Sequence, residues 1–65
     1  MIEMTPATES VFMTTVAEGI EMIRNGRSVE YVRMHMERDP MVSYSPFSVD
    51  EVMEEVTFWA GKPKG

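Results

Sequence analysis

Phe47-Ser48-Val49-Asp50-Glu51-Val52-Met53-Glu54-Glu55-Val56-Thr57-Phe58-Trp59-Ala60-Gly61 is the stretch that decides the fold. It carries its own start, apolar face and stop. Ser48 and Glu51 have the spacing of a capping box, in which each side chain satisfies the other residue's backbone amide. Phe47 before the cap and Val52 in the first turn have the spacing of a hydrophobic staple. Asp50 and Glu51 suit the positive end of the helix dipole. Val49, Val52, Met53, Val56, Trp59 and Ala60 then share one broad apolar face, with Glu54 opposite and Glu51 and Glu55 on its flank. Gly61 offers a left-handed residue to end the helix, and Pro63 cannot continue it. The spacing predicts a helix over Val49–Ala60.

Working upstream, Asp39-Pro40 is a stop, because a residue before proline avoids the α region. Ser28 is a good N-cap, so a second helix is expected from Val29 to Arg38, with a narrow stripe of Val29, Val32 and Met36. Met41–Phe47 reads as a loop. It holds Tyr44, Pro46 and Phe47 and is apolar enough to pack on the body. A first, long helix begins at Thr5-Pro6, a cap followed by proline at the first helical position. It ends at Asn25-Gly26, with Arg24 in its last turn. Its stripe is Phe12, Val16, Gly19, Ile20 and Ile23, widened by Met13 and Ala17 on one side and Val11 and Met22 on the other. Thr8, Thr14, Thr15 and Val16 are mediocre helix formers, and Gly19 costs about 1 kcal/mol against alanine. Fraying of the first turns is expected.

The expected fold is all-α: a single domain over 1–65 with one long and two shorter helices, and with 1–5 and 61–65 as tails. At 1.5 Å per residue the helices span about 30, 15 and 18 Å. Two short helices must therefore cover one long, broad stripe. A chain of 65 residues without cysteine has neither a large core nor disulfides to rely on. A homodimer through Val11, Phe12, Met13, Val16 and Ile20 is the expected remedy.

Composition limits the chemistry. With no cysteine and one histidine, thiolate metal sites and most histidine-based metal centres are excluded. No metal or cofactor is expected. No apolar run reaches the roughly 20 residues that span a bilayer. Met1-Ile2-Glu3-Met4-Thr5-Pro6 lacks the basic start and apolar stretch of a signal peptide. A cytoplasmic location with no membrane partner is the expectation. In scale and acidity the chain is similar to small accessory proteins of phages and mobile elements.

The net charge of −5 opposes non-specific binding to nucleic acid, which is retained mainly by phosphate neutralisation. Only residues 24–38 hold a local positive surplus, from Arg24, Arg27, Arg33 and Arg38 against Glu30 and Glu37. These arginines are expected to pair with the chain's own glutamates. The first helix, the Asn25–Arg27 turn and the second helix can also be read as a helix-turn-helix. Arg27, Ser28, Tyr31 and Arg33 would then lie near the groove. Glu30 at the entry and the overall charge weigh against it.

His35, with Asp39 one turn on, is the one conventional base near neutral pH. Nothing around Ser43, Ser45 or Ser48 resembles a nucleophile elbow, so a surface histidine and a non-enzyme are expected, with no catalytic residues. Glu51, Glu54 and Glu55 lack the alternating oxygen ligands of a calcium loop and read as a solvated acidic face. The eight methionines are expected mainly as core filling.

Tyr31 and Met34 on the far face of the second helix, and Phe58 on the third, fall outside the core stripes. Exposed aromatics and methionines recur at interfaces. The expected function is a small acidic regulator or modulator that binds a protein partner through Tyr31, Met34, Phe58, Glu51, Glu54 and Glu55. A dimeric DNA-binding regulator and a structural subunit of a larger assembly are the alternatives.

Overall fold

The structure is a computed structural model and describes residues 5–62. It is all-helical: α1 (Pro6–Arg24), α2 (Val29–Arg38), α3 (Pro40–Ser43) and α4 (Val49–Ala60). Of the expected tails at 1–5 and 61–65, residues 1–4 and 63–65, with Pro63 as a stop, lie outside the described residues.

The local signals act largely as their chemistry dictates. The Thr5 hydroxyl accepts from the Thr8 amide, and Pro6 opens α1. At the other end the amides of Gly26 and Arg27 donate to the carbonyls of Ile23 and Met22, each at 3.0 Å. This is a Schellman closure, and Gly26 adopts the φ of 95° that it requires. Ser28 caps α2 by accepting from the Tyr31 amide at 3.0 Å. At α4 both halves of the capping box form: the Glu51 amide donates to the Ser48 hydroxyl at 3.2 Å, and the Ser48 amide donates to Glu51 Oε1 at 3.1 Å. Ser48→Ala should therefore lower stability by about 1 kcal/mol with helix content retained, measured by urea unfolding followed by circular dichroism. An unchanged midpoint would show that the box adds nothing to the folded state.

Three expectations about the backbone and its faces need correction. The loop expected over Met41–Phe47 contains a fourth helix of one turn. Asp39 is extended (φ −77°, ψ 118°), as a residue before proline must be, and this ends α2. The same extended geometry makes Asp39 an N-cap: its Oδ1 accepts from the Met41 amide at 2.9 Å, while Pro40 has no amide to satisfy. One dipeptide therefore both stops and starts a helix. Gly61 is right-handed (φ −80°, ψ −8°), so α4 ends without a left-handed residue. Trp59, Val29 and Tyr44 point outward, at 47%, 48% and 91% exposure. Val29 opens α2, Trp59 lies at the edge of the α4 arc in its last turn, and Tyr44 follows α3 while its loop neighbour Phe47 turns in.

The core is Val16, Val32, Met36, Val42, Phe47, Val52, Met53 and Val56. Phe47 and Val52, the staple pair, are both within it. Val11, Phe12, Ile20, Met22, Ile23 and Val49 pack around it, half-buried. α1 and α4 form the largest contact and run in the same sense. At one end the Phe12 ring meets Phe47 edge-on, with centroids 5.0 Å apart. Further along both helices Gly19 faces Val56. There the missing side chain matters, because a Cβ on Gly19 would lie 2.7 Å from Val56 Cγ2 and 3.2 Å from Cγ1. Thr15, buried beside Val16, satisfies its hydroxyl on the Val11 carbonyl at 2.8 Å.

This arrangement bears on the seam assigned to a second copy. Val16 is in the chain's own core, and Phe12, Val11 and Ile20 pack against it. Met13 alone of the five is exposed. α4 covers that part of the α1 stripe within the chain itself.

Candidate functional site

Two surfaces collect the side chains that the core does not use. The first is the outer side of α4. Phe58 and Trp59 stand edge-on to each other, centroids 5.1 Å apart and planes at 88°, and each is about half exposed. Lys62 Nζ lies 4.4 Å from the Phe58 centroid and 5.2 Å from that of Trp59, within cation–π range of both. Glu54 is exposed and Glu55 half-buried on the same helix. Glu51 has a prior commitment, because its Oε1 accepts from both the amide and the hydroxyl of Ser48. Of the proposed acidic contacts, Glu54 and Glu55 carry no such duty. Trp59 was expected on the core face and Lys62 in the tail, so neither was expected as a partner contact. The aromatic-to-lysine interval of one helical turn between Phe58 and Lys62 was the available signal.

Tyr31 and Met34 on α2 are exposed as expected, at 44% and 48%. Together with His35 and Arg38 they line a small surface groove. Among the described residues the arginine segment is not paired with glutamates in the way anticipated. Arg33 Nη1 donates to Asp50 Oδ1 at 2.8 Å, the salt bridge formed among the described residues. Both partners are open to solvent, so it joins α2 to the start of α4 without adding much stability. The Arg27 guanidinium lies over the Tyr31 ring, 4.9 Å from its centroid. Of the four side chains suggested for a DNA groove, Arg27 and Tyr31 stack on each other, Ser28 caps α2 and Arg33 is held by Asp50.

The second surface is the junction of α1 with the end of α2. Here Glu18 joins His35 and Asp39, and donor atoms of all three lie within 4.8 Å of one another. The turn between His35 and Asp39 was legible in the sequence. Glu18 was not, because it comes from another helix. No serine bonds to His35 among the described residues: the Ser45 hydroxyl donates to the Met41 carbonyl and Ser48 belongs to its cap. No helix among the described residues is long and apolar enough to cross a membrane.

Comparison with protein-family models, with curated proteins and with solved structures gives no match to this chain.

Proposed function

We propose that this chain is a protein-binding module that docks through the outer side of α4, with Tyr31 and Met34 of α2 as secondary contacts. The observation that carries the reading is the Phe58–Trp59 pair, two large aromatic rings left half exposed side by side on a chain of 65 residues. Aromatic anchors of this kind dominate binding energy when a partner desolvates them. Glu54 and Glu55 beside the pair favour a partner whose apolar cleft is rimmed by lysine or arginine. The acidic surface works against nucleic acid as that partner. In this reading the chain regulates or modulates what it binds and performs no catalysis of its own.

The test uses the tagged chain as bait in extract from its own cells. Wild type should retain a partner in stoichiometric amount. Phe58→Ala with Trp59→Ala should weaken retention at least thirtyfold, the equivalent of about 2 kcal/mol, while helix content is kept. Equal retention by the double variant would remove α4 as the docking face. Absence of any stoichiometric partner on the wild-type bait would remove the module reading itself.

A further inference from the structure

We propose that Glu18, His35 and Asp39 form a binding site for a divalent transition-metal ion of the zinc type. The three donors come from two helices and a helix junction. His35 and Asp39 are one turn apart on α2 and its C-cap, so they project to the same side. Glu18 reaches them from the middle of α1, and one ligand atom of each residue lies within 4.8 Å of the other two. Donors on a tetrahedral zinc ion sit about 3.3 Å apart, given bonds of about 2.0–2.2 Å. Glu18 and His35 are exposed and Asp39 is half-buried, so side-chain rotation can close the remaining distance without moving a helix.

Electrostatics favour a cation here. Among the described residues neither Glu18 nor Asp39 forms a salt bridge. Two carboxylates therefore stand together beside an imidazole with no lysine or arginine in ion-pair contact. Asp39 is also oriented in advance. Its backbone is held extended before Pro40, and its Oδ1 accepts from the Met41 amide at 2.9 Å. That leaves Oδ2 for a metal, with the amide bond fixing the carboxylate plane, as outer-shell partners of metal ligands commonly do. The imidazole selects the class of ion. Nitrogen with two carboxylates suits zinc, cobalt or nickel, whereas magnesium and calcium take oxygen ligands. Three protein ligands leave at least one position to water on the solvent side. A bound ion ties α1 to the junction of α2 and α3.

The sequence makes the test clean, since His35 is the single histidine and there is no cysteine to compete. Zinc chloride is titrated into the full chain. The readouts are the His35 imidazole NMR resonances, the Tm and the mass in solution. Stoichiometric zinc binding should move the His35 resonances and, at a hundredfold excess over Kd, raise Tm by roughly 10–20 °C. Magnesium should do neither. Glu18→Gln and Asp39→Asn should each weaken zinc binding at least tenfold, and His35→Ala should abolish it. None of the three residues belongs to the core, and asparagine preserves the α3 cap, so circular dichroism should be unchanged. Unmoved His35 resonances at millimolar zinc would overturn the proposal. So would wild-type affinity in Glu18→Gln and Asp39→Asn, which marks a lone surface histidine. A doubling of mass that accompanies binding would overturn it too, since the ion would then bridge two chains.

Discussion

Gly19→Ala should destabilise this protein, although alanine is the better helix former by about 1 kcal/mol. The new methyl would lie 2.7 Å from Val56 Cγ2, closer than carbon atoms pack. Val56 cannot turn away. Its Cγ1 is already 3.2 Å from the same point, so two of the three staggered positions on its Cβ face Gly19. Any rotamer leaves at least one of the two methyls there. Met36 Cε, 3.3 Å away, closes a third side. Relief must come from separating α1 and α4, the largest helix contact in the molecule. Overpacking of this kind costs about 1–3 kcal/mol, which outweighs the gain in helix propensity. A net loss of up to about 2 kcal/mol is expected from urea unfolding. Gly19→Leu should lose more.

Val56→Ala supplies the control. Alone it opens a cavity in the core and destabilises. Combined with Gly19→Ala it removes the atoms that clash, so the two effects should not add, with a coupling of about 0.5–3 kcal/mol in the cycle. A Gly19→Ala protein more stable than wild type by the full propensity gain would mean that α1 and α4 do not approach this closely in solution.

Gly19 also shows where reading the sequence reaches its end. As a local signal it is a weak spot in a helix. Its role becomes visible only when a second helix is laid across it, and nothing within one turn of Gly19 encodes Val56. Helix ends are legible because their chemistry is local: Thr5, Ser28 and Ser48 each accept from an amide three residues on. The Asp39-Pro40 stop was legible for the same reason, but its second role as a start for α3 depends on the residues beyond it. Side-chain direction at stripe edges is less secure. Trp59 continues the periodicity of Val52 and Val56 yet stands half exposed, because periodicity gives the arc and the neighbours decide how far burial extends along it. The covering of α1 followed the same pattern. Helix lengths suggested an unfilled stripe, whereas the course of α4 in the same sense as α1 covers Val16 and Gly19. Glu18 joins His35 and Asp39 only through the packing of α1 on α2, and no interval in the sequence announces it.

Met36→Ala should be the more damaging single truncation, and its effect should be uneven along the chain. Met36 is fully buried and is the largest such side chain in the core. Removing a buried methionine to alanine costs about 2–5 kcal/mol. A domain of this length has on the order of 3–10 kcal/mol in total, so the variant should lose a large share of its stability. The unevenness follows from how α2 is held. Val32 and Met36 are its only buried residues, while α1 and α4 share the larger contact. The Arg33–Asp50 bridge is exposed and does little to replace what is lost. Hydrogen exchange on Met36→Ala should therefore speed up in the α2 amides before those of α1 and α4. Met36→Leu, which nearly conserves volume, should cost less than about 1.5 kcal/mol and leave exchange in α2 near wild type. Uniform acceleration across all helices of the alanine variant would mean that α2 unfolds only with the whole domain. What couples α2 to the rest would then lie outside Met36, and zinc at Glu18, His35 and Asp39 offers a direct way to look. An ion tying α1 to the end of α2 should slow α2 exchange in the Met36→Ala protein, and it should do so only while Glu18 is present.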